Sequence, residues 1–191
     1  MVISMDKELE DRIFNDFPEF FKNRDNIRMS LMSFGFECGN GWYKLIYKLC
    51  ADIREYYLTQ YEGVGYEGET YYHEIPPHFS VEQVKEKWGA LCFYISAAPE
   101  FVHELIRKAE LKSYTICEHC GKELQWGIQS DGVYRSFYRD ELPWILTLCD
   151  ECLRVHLAER GLPFKPYISD WQYEVCAPYQ IFKGGKNEEN N

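Results

Sequence analysis

The sequence predicts an α+β protein: a helical N-terminal part with a β-hairpin, followed by a small module built around cysteines. Three observations carry this. An apolar stripe at helical spacing runs through Trp42, Leu45, Ile46, Leu49, Ile53 and Tyr56. Strand-forming residues cluster in Leu91-Cys92-Phe93-Tyr94-Ile95, just after a glycine. Two Cys-x-x-Cys pairs, Cys117/Cys120 and Cys149/Cys152, then punctuate a stretch of short runs and turns. The expected division is an α+β domain over 1–113, the cysteine module over 114–161 and a C-terminal extension over 162–191, its end disordered from about 184. A chain of 191 residues, 46% hydrophobic and 27% charged, can build such a core.

In chain order, residues 6–22 read as helical, because Leu9, Ile13, Phe14, Phe17, Phe20 and Phe21 recur near a period of 3.6, with Pro18 as a kink or restart. A turn follows at Glu37-Cys38-Gly39-Asn40-Gly41, and Asn40 suits the N-cap of the next helix. That helix carries Lys44, Lys48, Asp52 and Glu55 opposite its apolar stripe. From Glu55 to Glu74 there are five Glu, six Tyr and three Gly, with no Lys or Arg, and the stretch reads as an acidic loop. His78 to Trp88 and Leu91 to Ile95 read as the two strands of a hairpin with Gly89-Ala90 between them, although Val81-Glu82-Gln83-Val84 also suits the start of a helical turn. Pro99 opens a helix whose buried stripe is Phe101, Val102, Leu105, Ile106 and Ala109.

The cysteine pairs carry the clearest chemistry. A two-residue gap lets both thiolates of a pair face one ion at about 2.3 Å, and two pairs complete a tetrahedron. Gly121 follows the first pair, as a tight knuckle turn needs. The second pair sits where Ile145-Leu146-Thr147-Leu148 runs into a short helix, whose first amides stabilise thiolate. A knuckle, a hairpin and a helix in that order make a treble-clef-like layout. One structural Zn2+ on Cys117, Cys120, Cys149 and Cys152 is therefore expected, with no open position for catalysis. Cys50 and Cys92 read as small packing residues.

A net charge of -10 is the wrong sign for a protein that wraps nucleic acid. Lys85, Lys87, Arg107, Lys108 and Lys112 are the best basic candidates, but Glu82, Glu86, Glu104 and Glu110 are interleaved with them. No G-x-S-x-G, P-loop or H-E-x-x-H signature is present, and Lys122 to Leu148 holds no His for a metal-dependent nuclease. Binding without turnover is the expected mode. Mean hydropathy is -0.45 and no 18-residue apolar run occurs, so no membrane helix is expected. The N-terminus lacks a signal-peptide pattern, which points to the cytoplasm.

Four stretches together carry a resemblance: Gly41-Trp42-Tyr43-Lys44-Leu45-Ile46; Gln83 to Tyr94, reading QVKEKWGALCFY; Cys117-Glu118-His119-Cys120-Gly121; and Trp144 to Cys152. Over about residues 39–155 the chain resembles a family, without a settled activity, of small two-CxxC zinc-finger proteins encoded by phages, prophages and bacteria. The resemblance implies a phage or mobile-element setting, in the cytoplasm of a bacterial host. In that setting the acidic balance suggests an inhibitor of a host or competitor protein, of anti-defence or immunity type. The expected docking residues for a protein partner with a basic surface are Tyr61, Glu62, Tyr66, Glu67, Glu69 and Tyr71. The alternative is a nucleic-acid-binding or -processing zinc-finger protein. The oligomeric state is not legible at this level.

Overall fold

The computed structural model describes residues 4–64, 68–124, 133–136 and 146–162. Helix α1 (Lys7–Asp16) ends earlier than its periodicity suggests. Phe17 precedes Pro18, whose ring disfavours the helical region for the residue before it, and Phe17 accordingly sits at φ -129°, ψ 50°. The apolar period survives in turns: Phe17, Phe20 and Phe21 are still buried. Phe14 meets Phe21 edge-on at 5.0 Å, and Phe20 meets Phe79 likewise at 5.1 Å.

Helix α2 (Tyr43–Thr59) buries Ile46, Leu49, Cys50, Ile53 and Tyr57, with Trp42 fully enclosed at its start. Asn40 does not cap it. The N-cap is Trp42, after a single 3-10 turn over Asn40–Trp42. The Asn40 side chain reaches back to the start of α1: its Oδ1 accepts the Asp6 N–H (2.7 Å) and its Nδ2 donates to Asp6 Oδ2 (2.6 Å).

The acidic stretch is not a plain loop. Strands β1 (Glu62–Val64) and β2 (Thr70–Tyr72) pair antiparallel, Glu62 opposite Tyr72. The Tyr61 ring lies over Gly63: a Cβ there would come within 2.0 Å of the Tyr61 hydroxyl oxygen, so a larger residue would have to displace the ring.

Strands β3 (Val81–Lys87) and β4 (Ala90–Ile95) form the second hairpin. Its turn is Trp88-Gly89, not Gly89-Ala90. Both turn residues have positive φ (60° and 78°), the two-residue geometry that matches strand twist. The polar β3 is held on its outer side by the segment before α2: the Glu37 N–H donates to Val84 O (3.0 Å) and the Glu86 N–H to Glu37 O (2.8 Å). Helix α3 (Glu100–Ser113) closes the outer edge of β4. Ser113 Oγ accepts the Leu91 N–H (2.9 Å) and Glu110 Oε1 the Phe93 N–H (3.1 Å), so an edge that could pair with another chain is satisfied internally.

Strands β5 (Val133–Ser136) and β6 (Leu146–Cys149) pair antiparallel, and β6 runs directly into α4 (Asp150–Ala158). Apart from Leu162, the expected C-terminal extension, with its disordered end, lies outside the described residues. Among the described residues two apolar cores result. The first gathers α1, the turns after it, α2, β3, β4 and α3; the second gathers Cys117, Leu124, Leu146, Leu148, Cys149, Leu153 and Leu157. No helix among the described residues is long and apolar enough to cross a membrane.

Candidate metal centre

The chain after α3 turns back on itself at once. Ile116 bridges Glu123, the Cys117 N–H donates to Lys122 O (2.8 Å), and the Gly121 N–H returns to Cys117 O (2.8 Å). Gly121 adopts φ 77°, a conformation that side-chain-bearing residues rarely take. This knuckle brings Cys117 and Cys120 onto one side. The other pair is presented by the β6–α4 junction: Cys149 is the N-cap of α4 and Cys152 lies in its first turn.

The four sulfur atoms all lie within 4.8 Å of one another. Cys120 Sγ and Cys149 Sγ are 3.7 Å apart. A tetrahedral ion with bonds of about 2.3 Å to sulfur sets its ligands about 3.8 Å from each other. The spacing is far longer than a disulfide bond and close to a coordination tetrahedron. Burial pushes the Cys117 thiol up to about 11, against backbone N–H groups of Cys120 and Cys149 that favour its thiolate. Burial also drives Cys152 upward. At Cys120 burial acts in the same direction, but the Lys122 N–H and the neighbouring thiols outweigh it and the thiol lies below its usual value. Four thiolates cannot share this volume without a cation, and a divalent one removes the conflict. The donor set therefore fits a metal ion that favours soft sulfur ligands.

The centre is fastened to the first core, a connection that the cysteine spacing does not reveal. Glu118, between the ligands, is fully buried; its N–H donates to Thr147 O (2.8 Å), its C=O accepts the Gly41 N–H (2.7 Å) and its Oε1 accepts the Gly39 N–H (3.0 Å). Burial, with Glu86 nearby, pushes its carboxyl up to about 8. Trp42 Nε1 donates to Ile116 O (3.0 Å), and Thr147 Oγ1 donates to Gly89 O at the tip of the β3–β4 hairpin (2.6 Å). Gly41 lies flat against the knuckle: a Cβ there would come within 2.1 Å of Cys117 O and 2.5 Å of the Gly121 nitrogen. The signal was present in Gly39-Asn40-Gly41-Trp42, but it reads locally as a turn and a cap. Its real partner lies about 80 residues away, at Glu118.

The expected docking residues fare unevenly. Glu62 is exposed on β1, and Glu69 is exposed just before β2 and accepts a hydrogen bond from Tyr71. Tyr71 is half-buried against the first core. Tyr61 is buried, packed edge-on against Tyr57 at 5.0 Å, so it belongs to the core and offers no face to a partner. Tyr66 and Glu67 lie outside the described residues. Of the basic candidates, Arg107 is paired with Glu100 (2.7 Å) and Lys112 with Glu123 (3.0 Å), which makes that face a mixed one.

Comparison with protein-family models, with curated proteins and with solved structures finds no match for the chain.

Proposed function

We propose that the chain is a non-enzymatic binding protein, stabilised by one Zn2+ in a treble-clef-like module, that docks through its acidic β1–β2 hairpin on a basic surface of a protein partner. A phage- or mobile-element-encoded inhibitor of a host or competitor protein, acting in the bacterial cytoplasm, is the role this reading favours. The observation that carries it is the hairpin. It projects Glu62, Val64, Glu69 and Tyr72 to solvent in a stretch with no Lys or Arg. Exposed carboxylates beside exposed apolar and aromatic surface are what a basic partner with a hydrophobic spot would bind. Four sulfur ligands support a structural metal, since they leave no open coordination position.

The test is the triple substitution Glu62→Gln, Glu67→Gln, Glu69→Gln, with capture of host proteins on the immobilised chain. Folding should be unchanged, because exposed charges contribute little to stability. A partner held by the wild-type chain should be lost or bound more slowly, and wild-type binding should weaken as salt rises. A second reading, nucleic-acid binding, is favoured by Trp88, exposed at the β3–β4 turn beside exposed Lys87. Retention of the partner by the triple variant, together with loss of activity on charge reversal at Lys85 and Lys87, would move the function to that face.

A further inference from the structure

A group of exposed apolar side chains lines a groove that shares no residue with the cysteine cluster or the acidic hairpin. Ile27 (66% exposed), Met29 (57%), Leu31 (41%) and Tyr94 (42%) line one groove of about 270 Å3, together with Arg28, Ser30, Glu82 and Gln83. Isolated apolar residues on a surface are ordinary; several around one groove mark a contact site.

The segment that presents them is held firmly. The Met29 and Ser30 N–H groups both donate to Asn26 O (2.9 and 3.0 Å), and the Arg28 N–H donates to Asn26 Oδ1 (3.1 Å). The Leu31 N–H donates to Glu82 O (2.7 Å), and Ser30 Oγ donates to Val81 O and Glu82 O (both 3.2 Å). The backbone is thus stapled to β3 while Ile27 and Met29 point to water. A pre-organised apolar surface loses little entropy when it is covered.

The charges say what covers it. In a chain of net charge -10, this groove is close to neutral, with one carboxylate, Glu82, and one guanidinium, Arg28. Lys85 adds a second cation at the edge, 5.4 Å from the centre of the Tyr94 ring. Neither Arg28 nor Glu82 makes an ion pair among the described residues, although both line the groove. An acidic partner would leave Glu82 opposed, and a basic one would leave Arg28 and Lys85 opposed. A surface that carries both signs around an apolar centre complements itself. A two-fold axis places residue i against j and j against i, so one contact sets Arg28 of each copy against Glu82 of the other, twice over. Met, Tyr, Ile and Arg over few charges is also the composition of an interface centre.

We infer that this groove is the contact through which two copies of the chain associate as a two-fold symmetric dimer, with Ile27, Met29, Leu31 and Tyr94 at its centre and reciprocal Arg28–Glu82 pairs beside them. The contact is independent of the hairpin-docking reading, since it uses none of the same residues.

Sedimentation equilibrium of the full chain across the micromolar range tests it. The expected result is a concentration-dependent monomer–dimer equilibrium. Met29→Glu, at an exposed position, should keep the thermal melt of the monomer and weaken dimerisation at least about tenfold, the loss of one central contact. Arg28→Glu should weaken it as well, by placing a carboxylate against Glu82 of the second copy. Combining Arg28→Glu with Glu82→Arg should restore it, because the pairs are re-formed in reverse. The hairpin substitutions Glu62→Gln and Glu69→Gln should leave it unchanged. A chain that stays monomeric across the range, a dimer indifferent to Met29→Glu, or one disrupted by the hairpin substitutions instead would overturn the inference.

Discussion

The two cores of the molecule are stabilised by different physics. The first is a thick apolar core in which aromatic rings do much of the filling: Phe14, Phe17, Phe20, Phe21, Phe36, Trp42, Tyr57, Phe79 and Phe93 are all buried. Among the described residues the second gathers five buried aliphatic side chains, Leu124, Leu146, Leu148, Leu153 and Leu157, around two of the four cysteines. An ion held by the four cysteines would add to such a core, because metal binding at a structural site contributes folding energy. What the contrast teaches is that the same chain reads differently in its two halves. The first half announces itself by periodicity, the second by ligand spacing, and neither announces the junction between them.

Losing the metal is the largest expected effect, and it divides the cores. Cys149→Ser should abolish metal binding and unfold the knuckle, β6 and α4, because binding energy there is folding energy. The rings of the first core should keep their near-ultraviolet circular dichroism. Loss of that signal too would show that the Glu118 and Trp42 contacts make one cooperative unit of both cores.

Leu49→Ala strikes the first core alone. Leu49 is buried on α2, and the cavity should cost about 2–5 kcal/mol by denaturant unfolding. Metal content of the folded variant should be unchanged. An unaltered midpoint would mean that the α2 stripe does not pack as described.

Gly41→Ala addresses the junction. The atoms its Cβ would meet are backbone, which cannot swing aside, so the knuckle must shift. An expected loss of about 1–3 kcal/mol should appear together with weaker metal retention in a chelator competition. Weaker retention distinguishes this variant from Leu49→Ala; if retention is unchanged, the docking of Gly41 on the knuckle does not support the metal.

The smallest effect has the opposite sign. Trp88 holds φ 60° at a turn position where Asn is at ease and bulky residues are not. Trp88→Asn should raise stability by up to about 1 kcal/mol in thermal unfolding, since the exposed ring leaves no cavity behind. A drop would show that the indole packs against something the turn geometry does not reveal.

These outcomes follow lines that were unevenly visible in the sequence. Helices α2 and α3 and strand β4 were legible because each buries one face at a regular period. The clustering of the four cysteines was legible because coordination geometry restricts spacing. Strand β3 was harder to read, since Glu82, Gln83, Lys85, Glu86 and Lys87 give it little apolar content; it is held by backbone bonds from Glu37, a partner far off in sequence. The Glu55–Glu74 stretch reads as a loop because glycine and carboxylates dominate it, yet Glu62–Val64 pairs with Thr70–Tyr72 and the Tyr61 ring lies against Gly63. Asn40 has the chemistry of a helix cap but spends it on Asp6. Glu118 is the hardest case, because a glutamate between two ligands reads as exposed, and only the fold shows that it is buried against Gly39 and Gly41.

The central claim is that Cys117, Cys120, Cys149 and Cys152 hold one ion on which the second core depends. Metal analysis of the purified chain, followed by chelation under circular dichroism, tests it most directly. The expected result is one zinc per chain, released by a strong chelator together with helical signal from α4, and regained with the fold when zinc is returned. A metal-free chain that keeps α4 folded, with those four thiols free or joined as disulfides, would contradict it.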